Sequence, residues 1–72
     1  MLSTTQKIYV NGLTRPFTDQ TLAELLSANG FDPTQSGFAV AVNAVIARRT
    51  EWDAITLHPE DRVEIIQAAA GG

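Results

Sequence analysis

Arg62-Val63-Glu64-Ile65-Ile66-Gln67 is a strand-forming run near the end of a 72-residue sequence, and its place in space decides the fold. β-branched residues suit a pleated surface, and strict alternation puts Val63 and Ile65 on one face and Glu64 and Ile66 on the other. A second run of the same character, Lys7-Ile8-Tyr9-Val10, stands near the start. If the last strand lies beside the first, the two are parallel and central, and the helix between them crosses one face of a mixed sheet.

Downstream of the run come Ala68-Ala69-Ala70-Gly71-Gly72. Glycine makes up about 7% of average usage, so a closing Gly-Gly arises by chance in roughly one chain in 200. The bland alternative is a frayed end, the usual state of chain termini. None of the five residues is bulky, charged or branched, so the segment can be drawn extended through a narrow channel, and the glycines let another backbone come close. Five extended residues reach roughly 17 Å. That is enough to carry a terminal carboxylate from a folded body into another protein's active site.

Upstream, Asn11-Gly12 follows the first strand at once and signals a tight hairpin, because both positions tolerate positive φ. A returning strand over residues 13–17 contains Pro16, which confines it to an edge. Thr21-Leu22-Ala23-Glu24 has capping-box spacing, Leu22, Leu25 and Leu26 form one apolar stripe, and Gly30 ends the element, which predicts a helix over about 22–29. Residues 31–37 read as a loop. Phe38-Ala39-Val40-Ala41-Val42, apolar on both faces, reads as a strand inside the sheet. Asn43-Ala44 is a turn, residues 45–48 a shorter partner strand, and Glu51-Trp52-Asp53 breaks the pattern. Trp52, Ile55 and Leu57 complete a small core before the turn His58-Pro59-Glu60-Asp61.

The expected architecture is an α+β β-grasp: a mixed sheet of about five strands with one helix on one face and an extended C-terminal tail. The β-grasp domain is placed at 1–67 and the flexible Gly-Gly tail at 68–72. Ile8, Val10, Val63 and Ile65 are expected to face the helix. Tyr9 and Ile66 are left on the open face, where an apolar patch would serve as a partner-docking surface.

Composition removes several functions. A domain this small lacks room for both a good core and a deep catalytic cleft. There is no cysteine, hence no disulfide, thiolate metal site or Cys nucleophile, and one histidine, His58, cannot assemble a metal site alone. Net charge is −3, from eight acidic and five scattered basic residues. That balance argues against nucleic acid, which wants a clustered basic face, and Arg48-Arg49 reads as a solvated strand end. No signal-peptide core or membrane-length apolar run is present, so a cytoplasmic protein without membrane association is expected.

Taken in order, several segments resemble the ubiquitin-like sulfur carriers, and most of all the ThiS family of thiamine-biosynthesis sulfur carriers. They are Ile8-Tyr9-Val10-Asn11-Gly12, Thr21-Leu22-Ala23-Glu24-Leu25-Leu26, Ala41-Val42-Asn43, the run from Val45 to Trp52, and Asp61-Arg62-Val63-Glu64-Ile65-Ile66 before the Gly-Gly. Two positions depart from the family pattern: Ala47 stands where Pro is usual, and Glu60 where Gly is common.

The resemblance implies a covalently recycled carrier and not an enzyme. An E1-like adenylyltransferase would use ATP and Mg to adenylate the Gly72 carboxylate, recognising the tail through Gly71, Ala70, Ala69 and Ala68. Sulfur from a cysteine-desulfurase relay would displace AMP to leave a thiocarboxylate, which thiazole synthase would consume. The domain itself would bind no cofactor or metal and would be a monomer when free.

The small subunit of molybdopterin synthase is the nearest alternative. That family tends to carry paired aromatics and prolines before its Gly-Gly, whereas here the residues are Ile65-Ile66-Gln67-Ala68-Ala69-Ala70, which favours thiazole supply. A modifier joined to lysines, and a β-grasp interaction module with an inert tail, are the remaining alternatives.

Overall fold

The computed structural model describes residues 6–67. Strand β1 (Lys7–Val10) turns through Asn11-Gly12, with φ of 52° and 82°, into β2 (Leu13–Pro16). Helix α1 (Leu22–Ala28) follows, then β3 (Phe38–Val42), β4 (Val45–Ala47), a 3-10 turn (Arg49–Glu51) and β5 (Arg62–Gln67). The sheet order is β2-β1-β5-β3-β4. β5 lies parallel to β1 and antiparallel to β3, so the last strand sits in the middle of the sheet and the fold is the expected β-grasp. Pro16 lies on the edge strand β2, where a missing N–H is tolerated.

A seven-residue helix is too short to persist by propensity alone, and its ends show what holds it. The first three amides all have partners: Leu22 N–H donates to the Ile55 carbonyl (2.9 Å), Ala23 N–H to that of Trp52 (3.1 Å), and Glu24 N–H to the Thr21 hydroxyl (3.2 Å). The Glu24 carboxylate accepts from Thr21 N–H at 2.8 Å, closing the capping box. At the other end Phe31 N–H reaches the Leu26 carbonyl (2.8 Å) and Gly30 N–H that of Ser27 (3.1 Å), with Gly30 at φ 86°. This is the Schellman pattern.

The core lies between α1 and the sheet. Ile8, Val10, Val63 and Ile65 are buried there with Leu22, Leu25, Leu26, Val40 and Leu57, as the alternation requires. Each such side chain, fully buried, contributes about 1.5–3 kcal/mol. Trp52 closes one end. Its indole N–H donates to the Ala47 carbonyl (3.0 Å), and its ring stacks on Phe38 at 5.4 Å between centroids.

Three details differ from the sequence reading. β2 and β4 each end one residue earlier, at Pro16 and Ala47. The segment around Trp52 is ordered: after the 3-10 turn, Ala54 and Ile55 N–H both donate to the Glu51 carbonyl. Arg49 is also no mere solvated strand end. Its guanidinium lies 4.4 Å over the Trp52 ring and donates to the carbonyls of Pro33 (2.8 Å) and Phe38 (3.1 Å), tying the loop after α1 to the turn.

Candidate functional site

The sheet face opposite α1 is uncovered, and strand register says what stands on it. Tyr9 pairs with Thr14 on one side and Arg62 on the other; Glu64 pairs with Ala41, which pairs with Ile46; Ile66 pairs with Ala39. Tyr9 and Ile66 therefore fall on the open face as expected, Tyr9 half-buried and Ile66 exposed. They are not alone there. Ile46 is also exposed, and the small Ala39 and Ala41 of β3 stand between it and Ile66, so this part of the face is an apolar strip. The other end of the face is cationic: Lys7 Nζ lies 5.8 Å and the Arg62 guanidinium 5.5 Å from the Tyr9 ring centroid. A depression of about 290 Å³ opens beside them, lined by Tyr9, Gly12, Arg62, Val63 and Glu64.

Sequence reading missed Ile46, Ala39 and Ala41 as members of this face. The signal was present in the two-residue Asn43-Ala44 turn, which forces Val42 opposite Val45 and Ala41 opposite Ile46.

Two asparagine turns fix β5, the strand that leads to the tail. The Asn11 side-chain oxygen accepts from Ile65 N–H (2.7 Å), and that of Asn43 accepts from Arg62 N–H (3.0 Å). Asn43 also donates from Nδ2 to Asp61 (3.0 Å), while Asp61 accepts from His58 N–H (2.8 Å). The departures from the family pattern fall within this scaffold. Glu60 sits at φ 73°, the left-handed conformation for which glycine is preferred, and its N–H donates to the Lys7 carbonyl (2.7 Å). Ala47 supplies the carbonyl that satisfies Trp52.

Ala68, Ala69, Ala70, Gly71 and Gly72 lie outside the described residues. Among the described residues, no three His, Asp or Glu side chains gather to hold a metal ion, and no helix is long and apolar enough to cross a membrane. The ring of His58 is mostly exposed, 3.9 Å from the Asp61 carboxylate. One carboxyl is held below its usual range: Asp32, by the Thr34 hydroxyl (2.7 Å) and then the Thr34 N–H (2.9 Å). It stabilises the loop after α1 and does not belong to the open face. The described arrangement is an open, partly apolar sheet face with β5 fixed at its centre.

Comparison with known proteins agrees with this geometry. The ThiS family model matches residues 8–72. A crystal structure of a thiamine biosynthesis protein (ThiS) from Geobacter metallireducens is similar at 30% identity, covering 92% of this chain and 99% of that one with a TM-score of 0.70. A solution structure of a thiamine biosynthesis protein from Geobacter metallireducens is similar at 28% identity, covering 92% of this chain and 87% of that one with a TM-score of 0.72. No curated protein matches the chain.

Proposed function

The chain belongs to the ThiS family, and from that premise we propose that it carries sulfur for thiazole formation in thiamine biosynthesis, with the Gly72 carboxylate as the reacting group. The observation that carries this reading is the extent of the family match, which runs through β5 and the small-residue segment to Gly72.

A carboxylate resists nucleophiles because of its charge. Attack of a Gly72 oxygen on the α-phosphate of ATP expels pyrophosphate and leaves an acyl-adenylate, whose AMP is a good leaving group. Mg²⁺ and basic groups that spread the phosphate charge belong to the E1-like adenylyltransferase. A persulfide on the cysteine-desulfurase relay then attacks the acyl carbonyl and displaces AMP. A thiol cleaves the resulting acyl disulfide to leave the thiocarboxylate and a disulfide on the relay, and thiazole synthase takes the sulfur from that thiocarboxylate. A carrier with no cysteine has no thiol of its own to trap the activated end. The chain acts as a recycled co-substrate in the cytoplasm, not as a catalyst.

The β-grasp body supplies recognition. Tyr9 and Ile66 stand on the face where the activating enzyme docks, while Ala68 to Gly72 thread into its nucleotide site. ATP–pyrophosphate exchange by the adenylyltransferase tests this. The intact chain should support exchange and the chain lacking Gly72 should leave only background, whereas equal exchange from both refutes the carrier role.

A further inference from the structure

Seven of the chain's eight Asp and Glu side chains lie in the helix, turns and loops, and only Glu64 stands on the open face. Two of its five cations, Lys7 and Arg62, stand on that same face, on the central strands β1 and β5. An acidic domain thus carries a cationic patch at the middle of its one uncovered sheet face. Both cationic heads lean on the same Tyr9 ring, at 5.8 and 5.5 Å from its centroid. Among the described residues the single ion pair within 4 Å is His58 with Asp61, so neither cation has a carboxylate counterpart. Cation–π attraction to the one ring holds both heads at the surface, where each can still pair with a carboxylate. Cations on an uncovered face, with no carboxylate partner among the described residues, are open to one supplied by another molecule.

What arrives must also meet the apolar strip of Ala39, Ala41, Ile46 and Ile66 on the same face, set off from Arg62 along β5 by Glu64. A small anion would satisfy the charges and leave that apolar strip wet. We propose that the occupant is an acidic protein surface, with carboxylates pairing Lys7 and Arg62 beside the Tyr9 ring and an apolar ridge against Ile46 and Ile66. This rests on the reading that the open face docks the activating enzyme, and it adds the charge that enzyme must present. The cations steer the encounter and set the association rate, because long-range attraction acts before contact. The apolar strip sets the dissociation rate.

The test uses the full chain and the purified E1-like adenylyltransferase of the same organism, with association and dissociation rates measured over a range of NaCl. Charge reversal, Lys7→Glu with Arg62→Glu, should slow association about tenfold at low salt and lose most of the salt dependence. Arg62→Lys, which keeps the charge, should stay near the parent rate. Ile66→Ser should speed dissociation and leave association unchanged. Circular dichroism of each variant confirms the fold, and the neutral pair Lys7→Gln with Arg62→Gln replaces the reversal if that fails to fold. If the enzyme binds the charge-reversed chain as fast as the parent, with the same salt slope, the acidic-surface inference is wrong while the docking reading survives. If the parent chain does not bind the enzyme at all, both fall together.

Discussion

Ile65 and Ile66 are the same residue on consecutive positions of one strand, and the structure assigns them to opposite duties. Ile65 is 7% exposed, packed under α1; Ile66 is 52% exposed, on the uncovered face. Nothing intrinsic to isoleucine separates them; the pleat does. On the helix side Ile8, Val10, Val63 and Ile65 of the central strands are all taken up by the core, so side-chain identity there is dictated by folding. On the other side the same strands carry Lys7, Tyr9, Arg62, Glu64 and Ile66, a mixture that folding does not require. In so small a domain the side chains free for another duty are those on the face that the core leaves over.

Truncating the two isoleucines separately breaks or confirms that contrast most directly. Ile65→Ala should cost about 2–4 kcal/mol in urea unfolding, a large share of the roughly 4–11 kcal/mol expected for a domain this size. Ile66→Ala should stay within about 0.5 kcal/mol. Comparable losses at the two sites would mean that the open face is part of the core.

A smaller effect is expected at the end of the core that Trp52 closes. Trp52→Phe removes the indole N–H and leaves the Ala47 carbonyl without that donor, costing about 2 kcal/mol by the same unfolding measurement. The two hairpin turns give a smaller and opposite pair. Ala44 sits at φ 70° in a position where Gly12 occupies φ 82° in the first hairpin. Ala44→Gly should raise stability by about 0.5–1 kcal/mol and Gly12→Ala should lower it by about 1 kcal/mol, because an L side chain is strained there. No atom would crowd the added Cβ at Gly12, so any loss reports backbone conformation alone.

The smallest expected effect is at Asp32. Its depressed carboxyl favours the folded state above the ordinary carboxylate range, and that stabilisation is lost as pH falls through the lowered folded value. Thr34→Ala removes the larger cause, so carboxyl NMR titration should show Asp32 moving back up toward its ordinary value.

The order of elements, the parallel pairing of β1 with β5 and the inward set Ile8, Val10, Val63 and Ile65 were all legible in the sequence, because alternation, Asn-Gly and the capping box each act locally. The duty of residues 49–57 was not. Its contacts are long-range: Trp52 and Ile55 carbonyls finish the helix N-terminus, and Arg49 grips Pro33 and Phe38. No periodicity announces such partners. The open face was half legible. Tyr9 and Ile66 follow from alternation, but the grouping of Lys7 with Arg62 around Tyr9 needed the register between first and last strands.

The central claim is that the folded body delivers its Gly72 carboxyl for sulfur chemistry elsewhere. Intact mass spectrometry of the protein isolated from its own cells tests it most directly. A fraction of the molecules should be heavier by the difference between one sulfur and one oxygen atom, with fragmentation placing the change on Gly72, and the fraction should vanish when the adenylyltransferase is deleted. A population carrying only the ordinary carboxylate, in cells that are making thiamine through this chain, would contradict the account.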